Sequence, residues 1–269
     1  MNPCLVEVAM HSRQLGPAPS PPLALQGRSY ARMALVLSAV AGFVDASAFT
    51  ALHGLLPAHV TGLLIAASSE VVRPMGHRFS HCALALAFVG SVVGTVVVFR
   101  LLESRRLPPL PTLLGLLTLT LGGLTGLAAW LAPLVRDANG GAVFILSGAA
   151  VCAMGVQNTL MRLGLRASCP TTVMTGNLTQ IIVQGANGWA RKDNTCSAAD
   201  AASQPAALAL LGFVLGAVGG LVLTHSFGLV SCWLPAAASA GLTAVACREA
   251  AGGSSLTDSA PSQKSFALP

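Results

Sequence analysis

The chain has 269 residues, of which 54% are apolar and 9% charged, against about 45–50% and 25% in ordinary soluble domains. With a mean hydropathy of +0.71, so little charge cannot cover a soluble globule; this excludes a disordered chain, a small disulfide scaffold and a soluble enzyme, and points to a bilayer as the solvent. The formal net charge of +6 comes from basic residues in short clusters between apolar runs, a placement that fits membrane topology and not a nucleic-acid-binding face.

Residues 1–30 read as a flexible tail. They hold Pro17, Pro19, Pro21 and Pro22, and the first basic residue, Arg13, follows the weak apolar patch near Leu5 to Met10, the reverse of a secretory signal. Apolar runs long enough to cross about 30 Å of hydrocarbon follow at 31–55, 82–102, 110–135, 142–165, 205–223 and 229–247, which predicts six transmembrane helices. Two shorter segments, 59–72 and 171–189, are richer in Thr, Asn, Gln and Gly and start beside Pro57 and Pro170; segments of this length are expected to be re-entrant or interfacial. Residues 248–269, rich in Gly and Ser, read as a second solvated tail. With both termini inside and both short segments re-entrant, only Arg73, Arg78 and Arg136 of the 15 Lys and Arg lie outside. The positive-inside rule therefore favours six spans with cytoplasmic termini.

The polar residues repeat. Gly42-Phe43-Val44-Asp45-Ala46 in the first span answers Gly155-Val156-Gln157-Asn158-Thr159 in the fourth, and His59-Val60-Thr61-Gly62 answers Val173-Met174-Thr175-Gly176. Each half then has the order span, short Thr-Gly segment, span, span, with a first membrane repeat over 31–135 and a second over 136–247. The next span in each half carries a small-xxx-small pair, Gly90 with Gly94 and Gly212 with Gly216, which lets helix backbones approach closely and offers a surface for a homo-oligomer. Three spans per half would insert the second half upside down, the inverted-repeat plan of transporters, whose sites lie near the midplane at interrupted helices. The expected fold is thus an all-α polytopic membrane protein of six transmembrane helices in two inverted three-helix repeats.

Of nine carboxylates, only Asp45 falls inside a predicted span. Burying an ionised carboxylate at mid-bilayer costs roughly 2.5–3.5 kcal/mol even on lenient insertion scales, so a partner is expected among Ser47, Thr50, His53, His59, Thr61 and Thr175. Asp45 fits a cation or proton site, or a carboxylate that binds a polar solute; a protonated Asp bonded to a neighbouring helix for packing fits as well. Gln157 and Asn158 are about 100° apart on a helix and so face different partners, either a bound solute or an interhelical clamp. In Thr171-Thr172-Val173-Met174-Thr175-Gly176-Asn177-Leu178-Thr179, Thr175 and Thr179 share a helix face. A helix N-terminus near Gly176 could hold an anionic group or a dehydrated ion, or the threonines could simply cap a restarted helix.

Other chemistry finds little support. The seven cysteines form no CxxC pair, His77 and His81 share helical spacing only within a loop beside Arg78, and there is no GxSxG, P-loop or dinucleotide fingerprint. No enzyme activity, metal site or cofactor is expected.

The motifs Ala41-Gly42-Phe43-Val44-Asp45-Ala46 with Thr61-Gly62, and Ala153-Met154-Gly155-Val156-Gln157-Asn158 followed by residues 171–179, resemble the YoaK-like family of bacterial inner-membrane proteins of uncharacterised function. The resemblance covers about residues 30–247 and implies a multi-pass inner-membrane protein without naming a substrate. It departs where the family's first repeat usually reads Thr-Gly-Asn and this chain has Leu63 after Gly62. The expected site is Asp45 with Thr61, Gly62, Gln157, Asn158, Thr175, Gly176 and Asn177, binding a small solute or ion in the bilayer. The alternative is a membrane scaffold or assembly protein in which Asp45 and Asn158 join helices.

Overall fold

A computed structural model describes residues 28–72, 80–134, 140–165, 174–190 and 198–257. Among them there is no strand. Eight α-helices follow in order: α1 (Arg28–Ala51), α2 (Val60–Val72), α3 (Ser80–Ser104), α4 (Pro109–Leu131), α5 (Gly141–Gly164), α6 (Met174–Ala190), α7 (Ala198–Phe227) and α8 (Trp233–Thr257). The last helix runs past the boundary expected at residue 247.

Local chemistry sets the helix ends. α1 closes with His53 at φ 55° and Gly54 at φ 89°, and the Gly54 N–H donates to the Phe49 carbonyl at 2.9 Å, the six-residue closure of a Schellman motif. α3 ends the same way on Arg106 at φ 56°, with the Leu107 N–H on the Leu102 carbonyl at 3.0 Å. Pro108 and Pro109 then stop one helix and start the next.

Among the described residues, five stretches are long and apolar enough to cross a membrane: Arg32–Ala51, His81–Ser104, Pro109–Leu131, Gly141–Gly164 and Ala206–Ala251. The fifth has 46 residues, about 69 Å as one straight helix, more than twice the hydrocarbon thickness. It does not run straight. Gly228, at φ 60°, opens a 3₁₀ turn over Gly228–Cys232 that separates α7 from α8. Helices α2 and α6, with 13 and 17 residues, are about 20 and 26 Å long, short of a full span.

The two helices that carry the repeated motif form the centre. In α1 and α5, 72% and 67% of the span is buried, against 17% in α3 and 28% in Ala206–Ala251. Around them the halves interlock: α1 packs on α7 and α5 on α3, α4 packs on α8, α1 meets α8 as α5 meets α4, and α2 and α6 lie on α3 and α7. Exchanging the halves maps each of these pairings onto another or onto itself. Leu113, Leu117 and Leu121 of α4 share one core cluster with Leu37 and Val44 of α1 and Met154 and Leu160 of α5, and Leu124 shares a second with Phe43 of α1 and Leu146 of α5. Facing outward are Leu86, Val89, Val93 and Val97 of α3 and Leu211, Val214, Leu215 and Val218 of α7, an apolar exterior suited to lipid.

The interlocked pairs are held by small residues. On α7, Gly212, Gly216 and Gly220 lie against the carbonyls of Leu35, Ala39 and Phe43 of α1. A Cβ added at Gly212 or Gly220 would stand 2.5 Å from such an oxygen. Gly42 of α1 abuts Phe213 of α7, and Gly155, its repeat mate on α5, abuts Ser91 and Phe88 of α3. The Ser91 hydroxyl donates to the Cys152 carbonyl at 2.7 Å, while the Cys152 thiol reaches the Ala87 carbonyl at 3.9 Å.

These contacts correct one expectation. The α3 counterparts of Gly212, Gly216 and Gly220 are Ala87, Ser91 and Thr95, one helical turn out of register with the Gly90 and Gly94 pairing. Gly90 and Gly94 face open space, whereas Gly212 and Gly216 pack on α1 within the chain. Because Gly216 meets backbone, which cannot yield as a side chain can, Gly216→Ala should destabilise by about 1–3 kcal/mol and Gly94→Ala should be neutral; thermal unfolding of the two variants in detergent checks this.

Candidate functional site: the buried carboxylate of α1

Every residue from Ala41 to Ala48 is buried, so a polar side chain on this part of α1 has no route to solvent whichever way it points. Asp45 is 2% exposed. Its partners come from the loop after α1. The Schellman turn reverses the chain, Leu55, Pro57 and Ala58 bury, and the Ala58 N–H donates to Asp45 Oδ1 at 2.8 Å. The second oxygen, Oδ2, lies 2.9 Å from Nδ1 of His59. The His59 ring stands edge-on to Phe213 of α7, centroids 6.3 Å apart and planes at 77°. The loop is thereby fixed between α1 and α7 by the carboxylate. That carboxylate also raises the His59 pKa above its ordinary 6.5 by direct contact, more than half-burial of the ring lowers it.

A second polar contact joins the two central helices. Gln157, fully buried, donates from Nε2 to the Leu37 carbonyl at 2.6 Å. Leu37 is eight residues before Asp45, about 12 Å along the axis, so Gln157 and Asp45 occupy different levels of α1. Asn158, the repeat mate of Asp45, is half-buried and donates to the Met154 carbonyl of its own helix at 3.1 Å. Ser47 serves a third group: it accepts from the Thr224 hydroxyl of α7 at 2.8 Å, and Thr224 lies 3.1 Å from Ser231 in the 3₁₀ turn.

The other expected site residues do not gather at Asp45. Thr61 and Gly62 are exposed on α2, and Thr175 and Gly176 are exposed on α6, where the Thr179 hydroxyl bonds the Thr175 carbonyl at 2.8 Å. Asn177 is buried at 4% exposure. Thr171–Val173 of the second Thr-rich segment lie outside the described residues. Gly62 does line a cavity of about 590 Å³, together with His53, His81 and Ser147, between the end of α1, α2, α3 and the start of α5. His81 is held there by Glu70, with Nδ1 2.6 Å from Oε1.

His59 was one of several candidate partners in the sequence. The Ala58 amide and Phe213 carried no signal of their own, although Gly54 and Pro57 mark the turn that delivers both loop groups. Among the described residues, no three His, Cys, Asp or Glu side chains form a group that could hold a metal ion.

A family model described as "Protein of unknown function (DUF1275)" matches residues 33–245. The chain belongs to this DUF1275 family. The matched region takes in α1 from Met33 onward, α2 to α7 and about the first half of α8, and with them Asp45, Ala58 and His59. No curated protein and no solved structure matches the chain, so the DUF1275 assignment fixes kinship and leaves the activity to be read from the site.

Removing the carboxylate strands a buried amide, which costs about 1–3 kcal/mol. Asp45→Ala should therefore lower the melting temperature clearly, whereas Asp45→Asn keeps an oxygen for the Ala58 N–H and should melt close to wild type. Parallel melting curves in one detergent test the pair.

Proposed function

We propose that the protein is a transporter or permease of a small solute or ion, with its site at Asp45 between the central helices. The observation that carries this reading is a carboxylate 2% exposed in a membrane-crossing helix and held only by an amide and an imidazole. Ionisable residues at such depth are costly and mark ion or substrate paths. The exchange of halves in the helix pairings supports a duplicated unit, and splitting the 46-residue stretch at Gly228 gives three long helices per half. On this reading the halves are inverted repeats of a six-span protein, with α2 and α6 as short re-entrant or interfacial helices.

The YoaK-like resemblance and the basic-residue count support a bacterial inner membrane with cytoplasmic termini as the expected location. A homo-oligomer built on small residues would use Gly90 and Gly94, which remain open. The scaffold reading is favoured by the Gln157–Leu37 contact, which joins helices without any solute.

The experiment is uptake of a mixed pool of small metabolites and salts by proteoliposomes, read by mass spectrometry against empty vesicles. Asp45→Asn should reduce the uptake of any transported species at least tenfold while leaving the melting temperature near wild type. Vesicles that take up nothing, with Asp45→Asn impairing neither folding nor flux, would favour the scaffold.

A further inference from the structure

The transport reading leaves its ion open, and the surroundings of Asp45 discriminate among ions. An alkali or alkaline-earth cation is held by oxygen lone pairs, and among the described residues no three His, Cys, Asp or Glu side chains gather to hold a transition metal. Here one carboxylate oxygen takes the Ala58 N–H and the other faces a ring nitrogen, so the site presents nitrogen where a cation would need oxygen. Neither Asp45 Oδ2 nor His59 Nδ1 has another partner. The carboxylate is sealed, at 3% side-chain exposure, while the imidazole that touches it is 32% exposed. The ring is thus the link between a closed carboxylate and the outside, and it has a nitrogen on each edge.

We propose, resting on the transport reading, that the ion bound at this site is a proton, exchanged with the aqueous phase through His59. Loaded, the pair is a protonated imidazole beside a carboxylate, with no net charge. Unloading removes the proton from Nε2 to water and leaves Nδ1–H facing Asp45, with one negative charge. The neutral loaded form suits a low-dielectric interior, and the charged unloaded form calls for a compensating change in structure or cargo. The neighbourhood supplies no competing charge. Among the described side chains, α1 and its loop carry Arg32 and His53, α2 carries Glu70, which is engaged with His81, α7 carries His225 and α6 carries none; only Asp45 acts electrostatically on His59. In the second half Asn158 stands at the Asp45 position and cannot titrate.

The test is a histidine-label NMR titration of the full-length protein in micelles, with the His59 resonance assigned by its loss in His59→Gln. Wild-type His59 should keep its proton above the ordinary 6.5, and Asp45→Asn should weaken its proton affinity at least tenfold. An ordinary titration that Asp45→Asn leaves unmoved overturns the proposal. A second readout does not depend on the Asn variant: unbuffered wild type, taken from about pH 7.5, where an ordinary imidazole has already lost about nine-tenths of its proton, to about pH 9, should release more protons than His59→Gln, and equal release overturns the proposal as well. Normal titration beside Asp45-dependent solute uptake would leave transport standing with another ion. A linked titration without any uptake would remove transport and leave a proton-binding site.

Discussion

Inside a bilayer the tails of the lipids are as apolar as leucine, so helices gain little from hiding apolar surface against each other and hold where their backbones come close. The contact that meets this condition here is α7 on α1, where Gly212, Gly216 and Gly220 rest on the carbonyls of three successive turns. It draws α1 into the middle of the bundle. Once α1 is enclosed on all sides, its single carboxylate has no water to turn to, and the loop that follows must fold back and supply an amide and an imidazole. The same glycines place Phe213 beside that imidazole. Close packing therefore creates the polar problem at Asp45 and supplies part of the frame that solves it.

The second half repeats the packing without the charge. Gly155 takes the role of Gly42, Ser91 stands where Gly216 does, and α5 is nearly as buried as α1. Replacing three glycines by Ala87, Ser91 and Thr95 keeps the approach close while adding hydroxyls that bond across or along the helices, as Ser91 does to Cys152 and Thr95 does to Ser91. The halves thus differ in charge at Asp45 and Asn158 while their frames remain matched. Gln157, beside Asn158, gives the second half its own polar link to α1, through Leu37.

Much of this plan was legible in the sequence because hydropathy and length decide membrane helices directly. Each predicted span lies on an observed helix with its ends within ten residues, and Gly42, Asp45, Gly155 and Asn158, which the sequence singles out, sit on the two most buried of them. The seam register on α3 was not legible. Gly90 and Gly94 attract attention as glycines, but Ala87, Ser91 and Thr95 are small enough to serve, and composition cannot tell which face turns inward. Asp45 was legible as the lone intramembrane carboxylate, whereas the Ala58 amide was hidden because a backbone donor has no side-chain signature. Thr61 and Thr175 looked like ligands by type, yet on α2 the buried face carries Leu63 and leaves Thr61 outside.

The depth of the carboxylate bears on how a solute or proton could pass. Asp45 is six residues from the end of α1, about 9 Å along the axis, so it sits between the middle of the helix and the end from which the loop returns. On that side lies the partly exposed His59 ring. On the other, Leu37, Val40 and Ala41 are buried, and Gln157 bonds across at Leu37. The arrangement is open toward one face through a titratable group and sealed toward the other by apolar packing and one amide contact. On the proposed transport reading, passage to the far side would require α1 and α5 to part at Leu37, and α1 is tied to the glycine seam of α7. A movement that separated α1 from α5 would therefore carry α7 with it, which would make the interlocked pair of helices, and not a single side chain, the moving part.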